Sequence, residues 1–166
     1  SLLPVIPPTN RLKKKQKNRL MIKRITLHKA FSDNLPRILG ISGELIHVFV
    51  NIISNAIDAM EDNGKLEIVT DLIRGAEPAA EDLVRVTIND NGHGICAENI
   101  EKVFTPFFTT KELGKGTGLG LSVVKRIVKM HKGNVDVLSK VNHGTSFIFS
   151  FPSVNTDEKT DECINC

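Results

Sequence analysis

Three short stretches of this 166-residue chain place polar or glycine residues where chemistry uses them. Asn51, Asn55 and Asp58 stand at i, i+4 and i+7, one stripe of a helix beside its apolar face. Asn is a mediocre helix former because its side chain competes for backbone groups. Taken alone, the stripe is read as half-exposed polar residues with no task. A carboxamide oxygen is nevertheless a hard ligand suited to Mg²⁺, which takes one or two protein oxygens beside phosphates. The second stretch, Asp90-Asn91-Gly92-His93-Gly94-Ile95, directly follows a strand pattern. Its two glycines allow a ligand close to the backbone, and a carboxylate at a strand end can accept a hydrogen bond from an exocyclic amine such as adenine's. An ordinary Asn-Gly turn would use the same residues. The third stretch is Gly114-Lys115-Gly116-Thr117-Gly118-Leu119-Gly120-Leu121, leading into an apolar helix. Alternating glycines ahead of a helix expose backbone N–H groups at its positive end, where phosphate oxygens bind. Neither G-x-x-x-x-G-K-[ST] nor G-x-G-x-x-G is present, and a hinge would also be glycine-rich. Thr109-Thr110-Lys111 just before it supplies hydroxyls and a cation within reach of a terminal phosphate.

The elements that must position these groups follow from periodicity. Met21–Phe31 alternates apolar and polar residues and predicts a strand, closed by the turn residues Asp33-Asn34-Leu35-Pro36. Ser42 is expected to cap a long helix, with Glu44 near its positive end. Leu45, Val48, Phe49, Ile52, Ile53 and Ala56 form its buried stripe, and Asn63-Gly64 its stop. Leu66–Leu72 and Leu83–Ile88 predict two strands joined by a loop at Gly75–Pro78. A short helix is expected near Ala97–Phe104 and an apolar one from Leu121 to Met130, packed through Val123, Val124, Ile127 and Val128. Two closing strands, Val135–Leu138 and Thr145–Phe151, follow. Strands and helices do not alternate as in a parallel sheet, so a mixed, mostly antiparallel sheet with helices on one face is expected, an α/β sandwich.

Composition narrows the function classes. Lys+Arg 22 against Asp+Glu 19 gives a net charge of +3, too small for a nucleic-acid platform. The aromatic residues are 8 Phe with no Trp or Tyr, which removes the usual stacking groups for bases and sugars. Phe147, Phe149 and Phe151 share one sheet face and belong in the core, while Phe104, Phe107 and Phe108 are expected to pack at the root of the glycine-rich stretch. No run of about 18 apolar residues occurs, so direct membrane insertion is not expected. Cysteines are sparse (Cys96, Cys163, Cys166), which fits a reducing cytoplasm, and Cys163-x-x-Cys166 has no second ligand pair for zinc. The basic run Lys13–Arg19 reads as a solvated linker helix, residues 1–20 as a lead-in, and residues 153–166 as a flexible polar tail.

Taken together and in this order, the stretches resemble the motifs of the GHKL superfamily of gyrase, HSP90-type chaperones, MutL and histidine kinases. Asn51–Asp58 resembles its N box, Asp90–Ile95 its G1 box, and Phe104-Thr105-Pro106-Phe107-Phe108-Thr109-Thr110-Lys111 its F box. Gly116–Leu121 resembles its G2 box and Gly144-Thr145-Ser146-Phe147 the short motif of its last strand. The similarity runs from Ile22 to Phe151, within a domain placed at residues 21–152. It implies the Bergerat fold, with ATP or ADP and Mg²⁺ held between helices. By that resemblance Asn55 coordinates Mg²⁺ with help from Asn51, and Asp58 and Ala59 line the nucleotide on the same helix. Asp90 binds the adenine amine, bordered by Gly92, Gly94, Ile95 and Thr145. The Thr109–Gly120 segment forms the mobile lid over the phosphates, with Thr109, Thr110, Lys111, Gly116, Thr117, Gly118, Leu119, Gly120 and Leu121 as its nucleotide-binding residues.

The branch within the superfamily turns on Asn51. The hydrolysing members carry Glu at this place, four residues before the metal-binding Asn, to activate water; an Asn is neutral and cannot be a general base. The resemblance therefore implies the catalytic domain of a sensor histidine kinase of the nitrogen-regulation type, with Asn51, Asn55 and Lys111 serving transfer. Its phosphoacceptor would be a His on a dimerisation hairpin and its downstream partner a response-regulator receiver domain. None of His28, His47, His93, His131 or His143 has the acceptor context of a following acid and Pro, so the hairpin is expected before residue 1. A serine kinase of the anti-sigma type and a nucleotide-sensing module without transfer are the alternatives.

Overall fold

Three strands with strict inward alternation build the wall on which the candidate site rests. In the computed structural model, which describes residues 1–5, 7, 12, 14–76, 80–110 and 117–154, these are β4 (Lys65–Ile73), β5 (Leu83–Asp90) and β7 (Gly144–Val154). Ile68 stands opposite Ile88, which stands opposite Phe147; Thr70, Val86 and Phe149 make the next row. Every one of these side chains is buried. The opposite face is mostly polar and half-buried, with Val69 and Ile148 among its residues, and carries the cross-strand pairs Arg85–Asp71 and Asn89–Glu67. One face therefore takes the helices and the other meets solvent, the pattern of an antiparallel sheet.

With β1 (Leu2–Leu3), β2 (Thr26–Phe31) and β3 (Arg37–Leu39), the sheet among the described residues has seven strands in the order β1-β3-β7-β5-β4-β2, with β6 (Asn134–Lys140) also on β7. Only β2 runs parallel to its neighbour β4; the other pairings are antiparallel, so the sheet is mixed and mostly antiparallel as expected. The long strand β7 reaches both β6 and β3 along one edge by changing partner at its end. β3 in turn pairs with β1.

Helix α2 (Ser42–Ala59) covers the inner face with Leu45, Val48, Phe49, Ile52, Ile53, Ala56 and Ile57, all buried. The short helix expected near Ala97–Phe104 is a single turn, α3 (Ala97–Ile100), and helix α4 (Gly120–Met130) adds Val124, Ile127 and Val128 to the core. Phe49 meets Phe149 edge to face at 5.6 Å and 84°, joining helix to sheet. Burial of each large apolar side chain of this kind is worth about 1.5–3 kcal/mol.

Several local expectations are corrected. Met21 and Ile22 end a helix, α1 (Lys14–Ile22), rather than begin a strand. Both are 76% exposed, so their apolar character carried no burial signal. Arg24 then turns the chain with φ 50°, and β2 starts at Thr26. Ser42 does not cap α2: the N-cap is Ile41, with no side-chain hydrogen bond. The helix ends at Ala59 rather than Asn63, because Lys23 Nζ donates to the carbonyls of Ile57 and Met60 and satisfies its last turn from outside. The pairing segments β1 and β3 are too short to show a period and were not anticipated.

Candidate functional site

The inner face changes character at one end of the sheet. Beyond the Ile68–Ile88–Phe147 row, the register sets Leu66 opposite Asp90, Asp90 opposite Thr145, and Thr145 opposite Ser139. Asp90 and Thr145 are buried although polar. Asp90 Oδ1 accepts the Gly92 N–H at 2.9 Å, and the carboxylate also accepts the Thr145 N–H. Burial raises its pKa above the ordinary carboxylate value; those two N–H groups and the nearby His93 pull the other way. The result is a buried acceptor held in place by backbone.

The loop after β5 docks on the end of α2. His93 N–H donates to Ala59 O at 3.0 Å, so Ala59 touches the Gly92–Gly94 turn. Gly94 takes φ +72°, and a Cβ there would lie 2.1 Å from Lys140 O, so no other residue fits without a shift. Ile95 N–H donates to Ser139 Oγ at 2.7 Å, which ties this loop to β6. Along α2, two turns back, Asn51 lies against the start of α4. Its Nδ2 is 3.4 Å from Gly120 O. The span from Asn51 to Ala59 is about 12 Å at helical rise. One helix edge thus links the Asp90 floor to the N-terminal end of α4, where the N-cap Leu119 makes no side-chain cap hydrogen bond.

Asn51, Asn55, Asp58 and Ala59 are half-buried along that edge. Asp58 pairs with Arg19 of α1, so the basic segment is packed against this helix. Thr109, Thr110, Thr117 and Leu119 are exposed, and Gly118 and Leu121 are intermediate. Lys111 and Gly116 lie outside the described residues, as does the Cys163–Cys166 pair. The F box is only partly packed. Phe104 meets Phe147 edge to face at 6.4 Å, with Lys125 Nζ 5.2 Å from its ring centroid. Phe107, expected in the lid root, is 76% exposed with φ 65°, and its N–H donates to Gly118 O at 2.9 Å. The anchor there is the backbone bond to Gly118, not the ring.

Asn51 and Asn55 carry neutral side-chain oxygens that could serve Mg²⁺. Among the described residues no cluster of three or more His, Cys, Asp or Glu could hold a metal. That donor set suits an ion taken mainly by ligand phosphates and waters. Ser139 was missed by sequence reasoning. Its signal was the break in the inward series Val135, Val137, Ser139, where an apolar position turns polar opposite Thr145.

Comparison with known proteins gives a consistent result. The family described as "Histidine kinase-, DNA gyrase B-, and HSP90-like ATPase" matches residues 40–155. The sensor kinase CckA of Brucella abortus is 40% identical over 128 residues, 72% of this chain. The sensor histidine kinase ZraS of Escherichia coli is 36% identical over 137 residues, 82% of this chain. The chain spans only 14% and 27% of those two proteins. Among solved structures, the nucleotide-free catalytic domain of histidine kinase ThkA superposes with a TM-score of 0.70 at 30% identity, covering 87% of this chain and 92% of that one.

Proposed function

Because this chain belongs to the histidine kinase-, DNA gyrase B- and HSP90-like ATPase family, we propose that it binds Mg-ATP and donates the γ-phosphoryl group to a His on a separate dimerisation domain. A response-regulator receiver domain would take the group next, in the cytoplasm. The observation that carries the reading is the α2 edge that links a buried acceptor row at Asp90–Thr145 to the start of α4. The adenine amine would donate to Asp90, with Gly92, Gly94, Ile95 and Thr145 around the base. The start of α4 and the residues before it, Thr109–Lys111 and Gly116–Leu121, would receive the phosphates. Asn55, supported by Asn51, would hold Mg²⁺, which supplies charge neutralisation at the phosphates.

Transfer rather than hydrolysis is favoured by Asn51. Its carboxamide cannot accept a proton from water, so the nucleotide is held without an activated nucleophile beside it. The protein's part is then positioning and exclusion of water while an external imidazole attacks. Calorimetric titration tests the binding step: Mg-ATP should bind, and Asn55→Ala should cost at least about tenfold in Mg-dependent affinity, or 1.4 kcal/mol. Radiolabelled ATP tests the transfer step. The chain alone should stay unlabelled, and adding a His-bearing dimerisation domain should give an acid-labile phosphoryl label. An acid-stable label on a serine would point instead to the anti-sigma type of kinase, and binding without any transfer to a sensing module.

A further inference from the structure

We infer that Ser139 is a positioning residue that sets which nucleobase edge this site accepts, acting through the hydroxyl proton of Thr145. The inference rests on the reading of the Asp90–Thr145 row as the floor under the base. Ser139 Oγ has three polar neighbours: Gly144 O at 2.8 Å, Ile95 N at 2.7 Å and Thr145 Oγ1 at 2.9 Å. A carbonyl brings no proton, so the single hydroxyl proton of Ser139 lies in the bond to Gly144 O. Ile95 N–H fills one acceptor position of the same oxygen. The contact with Thr145 must then be made by the Thr145 proton. Thr145 is 5% exposed, so this proton has little water to exchange with.

With its proton turned toward Ser139, Thr145 presents lone pairs, and the neighbouring Asp90 carboxylate presents lone pairs as well. The floor is a pair of acceptors. It suits an amino group and opposes a carbonyl, whose lone pairs would be buried without a donor. Removing the Ser139 hydroxyl frees Thr145 to rotate and donate, which makes a carbonyl tolerable. The three contacts also explain why a serine sits where the strand alternation calls for an apolar residue: it orders the Thr145 proton and fastens the Gly94–Ile95 loop at once.

The test compares ATP with inosine triphosphate, which carries a carbonyl in place of the 6-amino group and the same phosphates. Dissociation constants for both are measured by calorimetry on the wild-type chain, Ser139→Ala, Ser139→Thr, Thr145→Val and the double variant Ser139→Ala/Thr145→Val. The wild type should prefer ATP. Ser139→Ala should narrow that preference by about tenfold, the size of one net hydrogen bond, while Ser139→Thr, which keeps the hydroxyl, should retain it. In the Thr145→Val background, adding Ser139→Ala should leave the ratio unchanged. Equal weakening of both nucleotides by Ser139→Ala would mean that Ser139 only fastens the loop, and would overturn the inference while leaving the nucleotide reading intact. A ratio unmoved by Ser139→Ala overturns it equally. If Ser139→Ala does not fold, the ratio in Ser139→Thr decides: a collapse there despite the retained hydroxyl overturns it. A wild-type chain that binds neither nucleotide overturns the nucleotide reading and this inference with it.

Discussion

Burial lifts the Asp90 carboxyl above its ordinary value of 3.8, and the N–H groups of Gly92 and Thr145 and the charge of His93 oppose that lift only in part. The native state therefore holds this proton at a higher pH than the unfolded chain does. Stability falls as pH rises from 3.8 through the raised folded value, and the penalty is fully present above it. Asp90→Asn should accordingly raise the melting temperature of the ligand-free chain at neutral pH, with the gain vanishing well below pH 3.8, where both states hold the proton. The same substitution should abolish discrimination between ATP and GTP, because an amide facing the base can donate as well as accept. Melting curves at the two pH values and paired nucleotide titrations check both halves; a variant less stable at neutral pH would contradict the desolvation argument. Asp90 was legible in the sequence as a carboxylate at a strand end followed by glycines. Ser139 was not, because a serine in a strand has many uses, and its role depends on the cross-strand register with Thr145.

At the scale of elements, the site depends on loops held against strands and helix ends. Gly94 and Gly43 have opposite expectations for the same change. Gly94→Ala places a methyl against the Lys140 carbonyl at φ +72° and should destabilise by at least about 1–2 kcal/mol. Gly43, in the first turn of α2, has nothing within 4 Å of its Cβ position, so Gly43→Ala should stabilise by about 0.5–1 kcal/mol. Urea unfolding midpoints of the two variants measure the contrast, and equal shifts would refute it. The long elements α2, α4, β4, β5 and β7 were readable because their apolar periods run over many residues. The end of α2 was not. Lys23, far off in sequence, stops it four residues before the Asn-Gly signal by capping its carbonyls. Phe107 shows the same limit, since an aromatic in a motif reads as packed until the backbone bond to Gly118 is seen to do the anchoring.

For the whole molecule, sheet and helices share one core, in which Phe149 is fully buried against Phe49. Phe149→Ala should cost about 3–5 kcal/mol, a large part of the roughly 5–15 kcal/mol that holds a domain together. Nucleotide binding should disappear along with the thermal unfolding transition rather than selectively, as scanning calorimetry with and without ATP would show; a stable variant lacking only nucleotide affinity would contradict the placement of Phe149 in the core alone. By itself the sequence determined the identity and order of the motifs, the long elements and the polar stripe on α2, because these rest on residue type and local period. The tertiary structure alone decided that β7 changes partner along one edge, that α1 pairs Arg19 with Asp58, and that Ser139 faces Thr145. Arg19 and Asp58, like β3 and β7, are distant in the chain; Ser139 and Thr145 are near in sequence, but a one-residue slip in the register of their strands would turn one of them to the other face.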